Sequence, residues 1–135
     1  MEYLIGVVSA LAVTGCIGTL VGFDRDRAFY PTVTIVVASY YVLFAVLGGA
    51  STTIASESVV MGGFTFISIL GFKRNLWFAA GALFVHGVFD FFHGHLITNA
   101  GVPASWPMFC LSFDITAAIY LASLLKRSTI RANAP

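Results

Sequence analysis

Five apolar stretches, at residues 3–23, 32–50, 53–72, 75–95 and 107–125, occupy most of this chain of 135 residues and leave only short polar breaks between them. A helix rises ~1.5 Å per residue, so about 20 apolar residues cross the ~30 Å hydrocarbon core of a bilayer. Each stretch is of that order. In lipid a spanning segment must satisfy its own backbone N–H and C=O groups, and a helix does so internally. The expected fold is therefore all-α: a polytopic membrane protein, a bundle of five transmembrane helices forming a single integral membrane domain over residues 1–135.

Composition supports this reading. The chain is 59% hydrophobic and only 10% charged, too few charges to solvate a soluble domain and more apolar surface than one core buries. With a formal net charge of +1 and its charges confined to short segments, it carries no nucleic-acid footprint, and nucleic acid is excluded as a partner.

The basic residues orient the spans. All 7 Lys and Arg residues (Arg25, Arg27, Lys73, Arg74, Lys126, Arg127 and Arg131) fall in the first loop, the third loop and the C-terminal tail, which lie on one side of a five-span chain. The positive-inside tendency makes that side cytoplasmic. The expected topology is N-terminus outside and C-terminus cytoplasmic, in a cell inner (plasma) membrane of bacterial type.

Several local patterns have structural readings. Gly6, Ala10, Thr14, Gly18 and Gly22 recur every fourth residue, a stripe that lets another helix approach closely and that could support an oligomer. Val13-Thr14-Gly15-Cys16 looks like a lipobox, but the basic segment that should precede one is missing. Cys16 and Cys110 sit in apolar runs without metal-ligand spacing and read as small hydrophobes. The Asp24-x-Asp26 pair stands beside Arg25 and Arg27, which are expected to neutralise it in a surface salt-bridge cluster. Ser51-Thr52-Thr53 reads as the turn between spans two and three. Ser39, Tyr40 and Tyr41 place hydroxyls in mid-span, where they need partners.

The chemistry is concentrated in span four. His86-Gly-Val-Phe-Asp90-Phe-Phe-His93-Gly-His95 puts three imidazoles and a carboxylate into a membrane segment, where ionisable groups are costly and usually functional. At about 100° per residue, His86, Asp90 and His93 share an arc of about 60°, while His95 points away and reads as interfacial. Val85, Phe84, Phe91 and Phe92 dominate the other face, which can meet lipid. By depth, Glu57 of span three and Asp114 of span five join this polar face in the outer half of the bilayer. The expected result is a pocket open to the outer side and covered by residues 96–106, a loop containing Asn99, Gly101 and Pro103.

Span four is similar in a generic way to membrane enzymes such as the emopamil-binding type of sterol isomerase and the progestin-receptor-like hydrolases, which also carry His and acidic residues in membrane helices. The likeness covers this helix and two or three residues, and transfers no substrate or role.

Three functions fit the residues. The first is a small metal-dependent or acid/base membrane enzyme acting on a lipid or other hydrophobic substrate. Its metal ligands would be His86, Asp90 and His93, for a divalent ion such as Zn or Fe, with Asp90, Asp114 and Glu57 as catalytic carboxylates. The second is a proton- or ion-handling or transport subunit of an oligomer. The third is a structural or accessory subunit whose polar cluster only specifies helix packing. Expected partners are membrane lipid and either further copies of the chain or a membrane partner subunit.

Overall fold

The structure, a computed structural model, describes residues 1–134. Helix α1 (Glu2–Leu11) runs on without a break into a π-helix at Ala12–Leu20. A short 3-10 turn at Phe23–Arg25 leads to α2 (Phe29–Gly48), α3 (Ser51–Lys73), α4 (Trp77–Leu96) and α5 (Trp106–Lys126). The described residues form no strand, only one isolated bridge between Asn75 and Asn133.

Helix ends follow local chemistry. Gly22 ends the first helical run at φ 95°, and Gly49 ends α2 at φ 76°, conformations in which a side chain would be strained. The turn between α2 and α3 therefore lies at Gly49 and Ala50, and Ser51-Thr52-Thr53 is already helical. Asn75 Oδ1 accepts the Trp77 N–H at 2.9 Å in the turn that leads into α4, and Pro107 occupies the first turn of α5, where its missing N–H costs nothing.

The small-residue stripe of α1 packs against α5. Gly6, Ala10, Thr14 and Gly18 are all buried, and a Cβ on Gly6 would collide with Ser112 Oγ and the Phe109 carbonyl oxygen. The stripe thus serves contact within the chain, and that face is covered.

Four helical segments, Glu2–Leu20, α2, α3 and α5, are long and apolar enough to cross a membrane. Helix α4 matches them in length with 20 residues, but its three histidines and one aspartate lower its apolarity. The outside of the bundle is apolar: Leu20 and Val59 are 80% and 76% exposed. Phe84, Val85, Phe91 and Phe92 all face outward, as the pattern of span four predicts.

One end of the bundle collects the basic residues. The Arg27 guanidinium donates to the carbonyl oxygens of Gly71 and Phe72 in the last turn of α3 and of Arg131, Ala132 and Asn133 in the tail. The first loop, the end of α3 and the C-terminal tail are thereby tied together. This corrects the expected salt-bridge cluster. Among the described residues neither Asp24 nor Asp26 forms an ion pair. Arg27 is drawn instead to carbonyls that a helix end leaves without partners. Asp26 Oδ1 accepts the Ala28 N–H, and Asp24 turns inward to accept from Thr19 Oγ1 at 2.7 Å.

The opposite end holds the 96–106 loop. Thr53 Oγ1 donates to the Thr98 carbonyl, and Gly101 lies so close to Phe44 and Gly48 that a Cβ would meet the Phe44 carbonyl. The loop is docked on the end of α2.

The Gly6 contact makes a prediction. Gly6→Val should destabilise the protein by about 1–3 kcal/mol, as overpacking does. Gly62→Val, at a position with nothing within 4 Å, should have little effect. Thermal or denaturant unfolding of both variants in detergent checks the contrast.

Candidate functional site

Helix α4 turns one face to the interior, and on it His86, Asp90 and His93 are 1%, 0% and 2% exposed. His95 is exposed on the other side. Helix α5 brings Asp114 to this face, because Gly87 lets it approach: a Cβ there would lie 3.1 Å from Ile115 and 3.2 Å from the Leu111 carbonyl oxygen. Helix α3 contributes Glu57. All five ionisable residues expected to share the outer half are buried, with Asp114 and Glu57 at 0% and 1% exposure.

They divide into two groups. In the first, His86 Nδ1 is hydrogen-bonded to Asp114 Oδ2 at 2.6 Å and lies 3.5 Å from Asp90 Oδ2. Metal-ligating atoms of His86, Asp90 and Asp114 all fall within 4.8 Å of one another. In the second, His93 Nε2 and Glu57 Oε1 are paired at 2.7 Å. Sequence spacing grouped His93 with His86 and Asp90. The structure instead brings Asp114 to that pair and sets His93 against Glu57.

Two further residues complete the site. Asn99 reaches in from the loop, its Nδ2 donating to Glu57 Oε1 at 2.9 Å and to the Tyr41 carbonyl at 3.1 Å. The Tyr41 ring stacks on His93, with centroids 4.0 Å apart and planes 20° from parallel, and stands 6.1 Å from His86. Phe64 meets His86 edge-on at 4.7 Å. Tyr41 was signalled by its mid-span hydroxyl. Asn99 carried only the signal of an amide in a loop without charges.

These walls seal the site. The expected open pocket is in this structure a closed cluster, with Asn99 of the 96–106 loop over one end. Its polar atoms are not all satisfied by protein. Both Asp90 oxygens, Asp114 Oδ1, Glu57 Oε2, His86 Nε2 and the Tyr41 hydroxyl are buried without a hydrogen-bond partner. A lone unsatisfied buried group costs about 1–3 kcal/mol, and more if charged, so several in one cluster call for something besides protein.

One imidazole and two carboxylates form a hard, mixed N/O donor set suited to a divalent ion of the Zn, Fe or Mn kind, and no cysteine is needed. A cation there would take the place of the His86–Asp114 hydrogen bond and would give the Asp90 oxygens a ligand partner. The adjoining His93–Glu57 pair is a hydrogen-bonded acid and base.

No protein-family model, no curated protein and no solved structure matches this chain. Its chemistry is therefore read from the side chains alone.

The second pair gives a prediction through its burial. Glu57→Leu leaves His93 buried without a partner and should cost about 3–5 kcal/mol, whereas Glu57→Leu with His93→Leu should recover much of that loss. A double-mutant cycle from unfolding in mixed micelles measures the difference.

Proposed function

We propose that this chain is a small metal-dependent enzyme of the cell inner (plasma) membrane, with five transmembrane spans, a divalent cation held by His86, Asp90 and Asp114, and His93–Glu57 as its acid/base pair. The observation that carries the proposal is the convergence of His86 Nδ1 with Asp90 and Asp114 oxygens inside 4.8 Å, while Asp90 Oδ1 and Asp114 Oδ1 are buried without a hydrogen-bond partner.

Charge supports the metal. Two carboxylates and a neutral imidazole carry two negative charges, which a divalent ion would cancel, while His93 and Glu57 are hydrogen-bonded to each other. No lysine or arginine adjoins the cluster, since every one lies in the segments at the other end of the bundle. Buried charges persist only when they are paired or metal-bound.

What supports five spans, N-terminus outside and C-terminus cytoplasmic, is that the three basic segments form one end of the bundle, joined through Arg27, as the positive-inside tendency requires. On this topology α4 crosses the membrane despite its polar face, because that face is turned inward.

The residues divide the work. A divalent ion held by His86, Asp90 and Asp114 would supply Lewis acidity there. Glu57 Oε1 holds His93 Nε2 in one orientation, and Asn99 fixes Glu57 in turn. Between them these groups can take up or release a proton at His93. Tyr41 and Phe64 cover the imidazoles and keep the surroundings dry, which strengthens every charge interaction inside.

Metal analysis of the purified protein tests this directly. One equivalent of Zn, Fe or Mn per chain is expected, lost in His86→Ala, Asp90→Asn and Asp114→Asn and kept in His95→Ala. A wild-type protein that is folded and free of metal under metal-replete conditions overturns the proposal.

A further inference from the structure

Tyr41 touches both halves of the cluster. Its backbone carbonyl accepts from Asn99 Nδ2 at 3.1 Å, and its ring lies on His93 with centroids 4.0 Å apart, while Phe89 meets it edge-on at 6.2 Å. Buried and held on these sides, the ring keeps its hydroxyl at one place inside the bundle. The acidic groups that this hydroxyl faces are Asp90, Cys110 and Asp114. It has no hydrogen-bond partner, although a buried tyrosine hydroxyl ordinarily finds one.

Asp90 has the complementary need. Its Oδ2 lies 3.5 Å from His86 Nδ1, on the side where a cation held with His86 and Asp114 would sit, and its Oδ1 is buried without a partner. A carboxylate that gives one oxygen to a metal ordinarily accepts a hydrogen bond as well, which fixes its rotation and orients it as a ligand.

Few donors are placed to supply that bond. The hydroxyls of Ser39, Ser68, Ser112 and Thr116 donate to carbonyls of their own helices. Asn99 Nδ2 is committed to Glu57 and to the Tyr41 carbonyl, and the Cys110 thiol is a weak donor. His86 Nε2 has no partner, but it lies across the ring from Nδ1, the atom that meets the carboxylates, and so points away from them. The Tyr41 hydroxyl remains.

We propose that Tyr41 is a positioning residue of the cation site, its hydroxyl donating to the Asp90 oxygen that a divalent ion leaves free. This inference rests on the metal reading of His86, Asp90 and Asp114. A phenol suits the task because it donates one hydrogen bond and adds no charge, so the two negative charges of the carboxylates stay matched to a divalent ion. The same ring rests on His93, so the bond to Asp90 also ties the cation site to the His93–Glu57 pair.

Tyr41→Phe deletes the hydroxyl and keeps the ring on His93, and Tyr40→Phe, whose ring meets Trp106 instead, is the control. Full-length protein in detergent is titrated with Zn2+ against a chromophoric chelator. Tyr41→Phe should still bind one equivalent, with an affinity about 10–100-fold weaker, while Tyr40→Phe matches wild type. The hydroxyl has no partner before metal binds, so metal-free Tyr41→Phe should unfold no more easily than metal-free wild type. In Zn2+-loaded protein, the infrared difference between wild type and Tyr41→Phe should show the Tyr41 hydroxyl donating to a carboxylate. Equal Zn2+ affinity in wild type and Tyr41→Phe, an affinity loss matched by an equal loss of metal-free stability, or a Tyr41 hydroxyl that donates to nothing in the loaded protein overturns the role of Tyr41 and leaves the metal site standing. Folded wild-type protein that binds no divalent ion removes the metal reading, and the role of Tyr41 with it.

Discussion

Three carboxylates and two imidazoles are buried together in a bundle whose other surfaces are hydrocarbon, and the rest of the structure accommodates that burial. In so apolar a surround each charge must find a counter-charge or be neutralised, a carboxylate by taking up a proton and an imidazolium by losing one. Gly87 lets α5 come close enough for Asp114 to reach His86, and Asn99 caps Glu57. Tyr41 and Phe64 cover the imidazoles. Helix α4 gives up apolarity to carry these groups, and its polar face is covered by α2, α3 and α5 while its other face stays exposed.

The opposite end solves a different problem with different residues. There Arg27 satisfies backbone carbonyls at the end of α3 and in the tail, so a cation serves as a structural staple and not as a partner for the nearby aspartates. Keeping every lysine and arginine at this end has two effects. It supplies a charge asymmetry along the bundle, and it leaves the carboxylates of the core without a lysine or arginine. The demand for a metal ion or added protons in the core follows from that segregation.

Much of the fold was legible because membrane helices are written in length and apolarity. The five helices lie within a few residues of the five apolar stretches, and the inward face of span four follows from helical periodicity. The small-residue stripe marked a close helix contact, but its partner, α5, could not be read from α1 alone. The same limit separated His93 from the His86 group. Periodicity places residues on a face of one helix, while the register between helices, set here by Gly87 against Leu111 and Ile115, decides which carboxylate meets which imidazole. Asn99 was illegible as a site residue because a loop has no period. The inward turn of Asp24 was hidden for a related reason, since its neighbours in sequence, Arg25 and Arg27, are not its partners in space.

The ligand set is the centre of this account, and X-ray absorption at the metal edge of the purified protein examines it most directly. The proposed site predicts nitrogen and oxygen ligands only, with outer scattering from one imidazole, that of His86. A sulfur scatterer, the signature of two imidazoles, or no bound metal at all in folded protein would contradict it.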